Sequence, residues 1–105
     1  MIKTITEKDF EAEVIRSSTP VMVDFWATWC GKCKMLSGII DQIAAAAGSA
    51  AKIVKVDVDK DMALARRFNV AHLPALLFFK NGELVSRIDD MTTKAAIVEH
   101  IKAML

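Results

Sequence analysis

The sequence predicts a single α/β domain, residues 1–105, built as a mixed β-sheet of about five strands with about four helices on both faces. Three observations predict it. Apolar runs of strand length, Val21–Trp26 and Ala75–Lys80 among them, read as strands, the first as a central strand buried on both faces. Segments with apolar residues at helical spacing separate the strands, which implies parallel neighbours joined by right-handed crossovers. The dipeptide Asn81-Gly82 between two strand-like runs marks a hairpin and so an antiparallel edge.

Taken in order, residues 2–5 alternate weakly and read as a short strand. Thr6, with Glu7 and Asp9 behind it, supplies the hydroxyl cap and early acids of a helix N-terminus. Phe10, Val14 and Ile15 form that helix's apolar stripe, and residues 17–20 end it. Val21–Trp26 is a central strand interrupted by one acid, Asp24. The next helix carries Leu36, Ile39, Ile40, Ile43 and Ala47 at helical spacing and closes at Gly48-Ser49. Residues 53–58 form a strand, and residues 59–68 a helix with Met62, Ala65 and Phe68 inward. Ala75–Lys80 and residues 84–88 flank the hairpin turn. Thr92 or Thr93 caps a last helix whose apolar face is Ile97, Ile101, Met104 and Leu105. The methionines read as core filler.

Composition narrows the function. Of 105 residues, 53% are hydrophobic and 26% charged, a globular balance rather than a disordered one. A net charge of +1, from 14 basic and 13 acidic side chains, sets up no broad field for nucleic acid, and no nucleic-acid partner is expected. Arg66-Arg67 reads as a solvated helix face. No apolar run reaches the roughly 18 residues of a membrane span, so no membrane partner is expected. Met1-Ile2-Lys3-Thr4 lacks the apolar stretch and cleavage site of a secretory signal, and a cytoplasmic protein is expected.

The two cysteines, Cys30 and Cys33, are three residues apart. So short a loop constrains the unfolded chain little, which makes the pair a poor staple and points to chemistry. Trp29-Cys30-Gly31-Lys32-Cys33 lies where a buried strand gives way to a helix. There the unpaired N–H groups and the helix dipole stabilise a thiolate, the reactive form. Cys30 at the helix start is expected to be the exposed nucleophile. Cys33, one turn in, is placed to attack a mixed disulfide on Cys30. Zinc is the rival use of such a pair, but it wants four ligands and only His72 and His100 remain.

The stretch Val23-Asp24-Phe25-Trp26-Ala27-Thr28-Trp29-Cys30-Gly31-Lys32-Cys33-Lys34 resembles the active-site segment of thioredoxins, and Leu73-Pro74-Ala75-Leu76-Leu77-Phe78-Phe79-Lys80-Asn81-Gly82 resembles the family's second signature. Two long motifs in the right order, in a register that holds from about Phe10 to the C-terminus, are far more specific than a bare CxxC. The resemblance implies the thioredoxin fold and reduction of disulfides in protein partners. It implies recycling by an NADPH-dependent, thioredoxin reductase-like flavoprotein, no bound cofactor or metal, and a monomer. It assigns Cys30 as attacking cysteine and Cys33 as resolving cysteine. It makes Asp24 the buried acid beneath Cys33, with Lys55 near it, and Pro74 a cis-proline facing the disulfide. Trp29, Gly31, Lys32, Leu73, Pro74 and Asp90 fall on the substrate-facing surface, and Trp26 flanks the site. Alternatives are a more oxidising disulfide oxidase or isomerase, and a thioredoxin-fold binding module.

The chain departs from the family pattern at several of these places. Lys32 and Gly38 stand where prolines are usual, Ala75 follows the proline in place of threonine, and Asp89-Asp90 replace an apolar residue and a glycine. His72 occupies a position that is commonly small. Lys32, Asp89 and Asp90 are therefore expected to put charge on an otherwise apolar docking patch, with Asp89 and Asp90 either opposing the Lys32 cation or pairing with it.

Overall fold

The computed structural model describes residues 2–105. In chain order the elements are β1 (Lys3–Thr4), α1 (Glu7–Phe10, continued by a π-helical turn over Glu11–Ile15), β2 (Val21–Trp26), α2 (Gly31–Ala47), β3 (Lys52–Asp57), α3 (Met62–Arg67), β4 (Ala75–Lys80), β5 (Glu83–Asp89) and α4 (Lys94–Lys102). Five strands of the described residues form one mixed sheet in the order β1-β3-β2-β4-β5. This is the thioredoxin fold that the resemblance implies.

β1 and β2 both run parallel to β3, and β4 runs antiparallel to β2 as well as to β5. The hairpin therefore does not hold the only antiparallel pairing, contrary to the reading that helix-separated strands run parallel. The cause is the length of α3. Its six residues rise about 9 Å, whereas a six-residue strand spans about 20 Å. The chain does not travel back to the start of β3 and re-enters the sheet from the end where β3 finishes.

The period-two alternation of the strands builds two cores. Val21, Val23 and Phe25 of β2 join Val54, Leu77 and Phe79 beneath α1 and α3. Met22 joins Ile53, Leu76 and Phe78 beneath α2 and α4, where Leu36, Ile40 and Ile97 are fully or almost fully buried. Asp24 shares the Met22 parity, so its side chain points to the α2 side of the sheet. Phe10, Phe68 and Phe79 pack edge-on or tilted at centroid distances of 5.3–5.6 Å. In the hairpin, Asn81 (φ 52°) and Gly82 (φ 79°) both adopt left-handed backbone, as a primed turn requires. A Cβ on Gly82 would sit 2.7 Å from the Ile15 carbonyl oxygen, so glycine here also lets the hairpin close on the end of α1.

Several local expectations are corrected. The first strand is two residues long rather than four, although the Ile5 N–H still bonds the Lys55 carbonyl at 2.8 Å. α3 starts at Met62 rather than at residue 59, with Asp61 as its N-cap, accepting the Leu64 N–H at 3.1 Å. Leu64 is the buried residue of this helix, and Met62, expected inward, is exposed. Met35 and Met91 are also exposed, so only some methionines are core filler, Met22 and Met104 among them. At the C-terminus Met104 is buried, while Leu105, expected on the same apolar face, is exposed.

Candidate active site

β2 ends at Trp26, Ala27–Trp29 turn the chain, and α2 begins at Gly31. Cys30 is the N-cap of α2, and its backbone is extended (φ −86°, ψ 105°). Its Sγ accepts the Cys33 N–H at 3.1 Å, which satisfies one of the donors a helix start leaves free. Cys30 and Cys33 are joined as a disulfide with Cα atoms 5.3 Å apart. Both are buried to the same degree, 6% and 7% exposed, so exposure does not single out Cys30 as expected. What separates the two sulfurs is the helix: Cys30 Sγ faces the N-terminal N–H groups and Cys33 lies one turn inside.

Beneath Cys33, Asp24 on β2 stands in register with Lys55 on β3. Asp24 is 5% exposed, and its Oδ1 has no hydrogen-bond partner among the described residues. Burial pushes its carboxyl up to about 6, and the nearby Lys55 ammonium acts in the opposite sense. A cleft of about 160 Å³, lined by Asp24, Trp26, Cys33, Lys34, Ser37 and Lys55, joins acid and cysteine. Ser37 belongs to neither motif, and it lines this cleft because it lies one helical turn after Cys33 on α2.

On the opposite side of the disulfide, Leu73-Pro74 is a cis peptide. Pro74 is buried, and Leu73 packs against the two cysteines and Ala27. The Pro74 carbonyl accepts the Asp90 N–H at 2.9 Å, fixing the loop after β5 to the proline loop. Lys32 Nζ donates to Asp90 Oδ1 at 2.8 Å, and the Met91 N–H donates to the same oxygen at 2.7 Å. These bonds, with smaller help from the His72 charge, hold the Asp90 carboxyl below its usual range. Asp89 does not join them: its carboxylate takes the Arg87 guanidinium at 2.8–2.9 Å through two bonds. β-strand parity puts Asp89 and Arg87 on the same side of the sheet, and Arg87 also reaches the Phe68 carbonyl.

Trp29 is two-thirds exposed, and its indole N–H donates to Asp59 Oδ2 at 2.9 Å. A groove of about 700 Å³ opens between Trp29, Met62, Arg66 and Leu73. Asp59, Met62 and Arg66 carry no site signal in the sequence; their place here depends on where α3 packs. His100 stacks on Phe78 at 4.8 Å and shares a hydrogen bond with Ser86, and His72 lies exposed in the proline loop. No group of three or more His, Cys, Asp or Glu side chains among the described residues is placed to hold a metal ion.

Comparison with known proteins agrees with this geometry. The family model Thioredoxin matches residues 1–103. A thioredoxin of Mycolicibacterium smegmatis is 43% identical over 103 residues, covering 96% of this chain and 92% of its own. A thioredoxin of Rickettsia bellii is 36% identical over 101 residues, covering 96% of each chain. A bifunctional thioredoxin reductase/thioredoxin of Mycobacterium leprae is 39% identical over 97 residues, which make up 92% of this chain and 21% of that protein. With a CxxC disulfide at a strand–helix junction and matches of this extent, the chain belongs to the thioredoxin family and is a protein-disulfide oxidoreductase whose redox-active pair is Cys30 and Cys33.

Proposed function

We propose that the reduced protein works as a monomeric, cytoplasmic electron carrier, all 105 residues acting as one domain, with Cys30 as nucleophile and Cys33 as resolving thiol. The Cys30 thiolate attacks one sulfur of a substrate disulfide, forming a mixed disulfide and releasing one substrate thiolate. Cys33 loses its proton and attacks Cys30 Sγ, releasing the second substrate thiolate and closing the Cys30–Cys33 disulfide. The protein pair thus gives up two electrons and the substrate gains them. The observation that carries this assignment is the Cys33 N–H donated to Cys30 Sγ at the start of α2, a contact that favours a thiolate at Cys30.

In this reading Asp24 takes the Cys33 proton through the shared cleft, and Lys55 tunes Asp24. Trp29, Gly31, Lys32, Leu73, Pro74 and Asp90 form the docking face for the substrate backbone. Re-reduction falls to an NADPH-dependent, thioredoxin reductase-like flavoprotein, a pairing supported by the relative in which reductase and thioredoxin share one chain. No helix among the described residues is long and apolar enough to cross a membrane, consistent with the cytoplasmic assignment.

The test is trapping. With Cys33→Ser, a mixed disulfide with a protein substrate should accumulate on Cys30. If Cys30→Ser accumulates the adduct on Cys33 instead, the roles are reversed. Equilibration with glutathione buffers of known potential decides direction, and a potential as high as that of a disulfide oxidase overturns the reductase reading.

A further inference from the structure

Asp90 is held in an unusual way. Its φ of 119° is a backbone conformation that residues with a side chain rarely adopt. Three bonds fix it there: its N–H to the Pro74 carbonyl, and Oδ1 to both Lys32 Nζ and the Met91 N–H. The result is an ion pair that joins the turn between the cysteines to the proline loop, on the face where a substrate must lie. Lys32 and Asp90 are still 56% and 48% exposed at their side chains. Lys32 uses one of its three donors in this pair, and Asp90 Oδ2 accepts no hydrogen bond within the protein among the described residues.

A pair this exposed holds the loops together only weakly. Its effect comes when a substrate covers it. Covering strips water from two charges, and their mutual attraction repays that loss only when their remaining donors and lone pairs find partners. An apolar side chain laid over the pair supplies none. A polar or charged one can accept from Lys32 or donate to Asp90 Oδ2.

We infer that the Lys32–Asp90 pair is a specificity filter, which selects protein disulfides whose cysteine is flanked by polar or charged residues over those flanked by large apolar ones. The inference rests on the proposed attack by Cys30 and says which substrates that attack favours.

Two disulfide-bonded peptides test it, identical except that the residues flanking the cysteine are Lys and Glu in one and Leu in the other. The readout is the ratio of their kcat/KM values, followed by the appearance of peptide thiol. The neutral variant Lys32→Gln/Asp90→Asn should shift this ratio toward the leucine peptide by about three- to tenfold, because the covered charges are gone. The charge-keeping variant Lys32→Arg should keep the parent's preference, since Asp90 retains both a cationic partner and the Met91 N–H. Unfolding midpoints of both variants establish that they are folded. A ratio that does not move in the neutral variant, or that moves equally in Lys32→Arg, overturns the inference and leaves the reductase reading intact. If the parent reduces neither peptide, the reductase reading itself fails.

Discussion

Asp24 and Lys55 lie side by side in register on β2 and β3, yet Asp24 Oδ1 has no hydrogen-bond partner among the described residues. An acid buried without full pairing works against the fold whenever it is charged, because it has lost its hydration. In the proposed mechanism its value lies in taking the proton of the neighbouring Cys33.

The pH dependence follows from the direction of the Asp24 shift. Its pKa of about 6 in the folded protein lies above the ordinary value of 3.8, so between those pH values the folded state holds more protons than the unfolded state. Stability from this group therefore falls as pH rises through that window and is lost above about 6. Asp24→Asn should stabilise the oxidised protein at pH 8 by up to about 3 kcal/mol more than at pH 4. Urea unfolding of parent and variant at both pH values measures this, and a gain that is the same at the two removes Asp24 as its source. The same variant should slow substrate reduction at neutral pH.

Gly38 sits inside α2 on its exposed side, and a Cβ there meets nothing within 4 Å. The glycine answers no local crowding and only loosens the helix. Gly38→Ala should stabilise the protein by about 1 kcal/mol, and raise the melting temperature by about 4–8 °C for a domain of this size. A lower melting temperature would mean that the backbone at this position needs glycine.

Asp61 caps two helices with one carboxylate. Oδ1 accepts the Leu64 N–H of α3, and Oδ2 accepts the Glu7 N–H at the start of α1. Asp61→Ala leaves both amides without their partner and should cost about 1–3 kcal/mol. Asp61→Asn keeps one acceptor and should lose roughly half as much. Chemical denaturation of the two variants separates these outcomes; equal losses would show that only one of the two bonds matters.

The Lys32–Asp90 pair should also set the redox potential. Asp90 neutralises a cation that lies two residues after Cys30 and next to Cys33. Asp90→Asn frees that cation to favour the Cys30 thiolate, and a more stable reduced form is a more oxidising couple. The potential should rise, by no more than about 30 mV, a tenfold change in the two-electron exchange constant. Equilibration with glutathione shows the direction, and a fall in potential would sink this account.

What the sequence determined by itself is local in origin. Strand-length apolar runs, the helical spacing from Leu36 to Ile43, the Asn81-Gly82 turn and the cysteines at a strand–helix junction all rest on interactions within a few residues. They were legible, and with the two long motifs they placed the chain in its family. The tertiary structure decided partners between segments distant in sequence. Asp90 rather than Asp89 meets Lys32, because β5 parity turns Asp89 toward Arg87. α3 starts at Met62 rather than at residue 59: Asp61 accepts the Leu64 N–H of α3 and the Glu7 N–H of α1, Leu64 is buried and Met62 lines the groove. The direction of β4 was set by the shortness of α3. Local propensity ranks conformations of a few residues; which side chains meet across the sheet depends on where whole elements come to rest, and only packing fixes that.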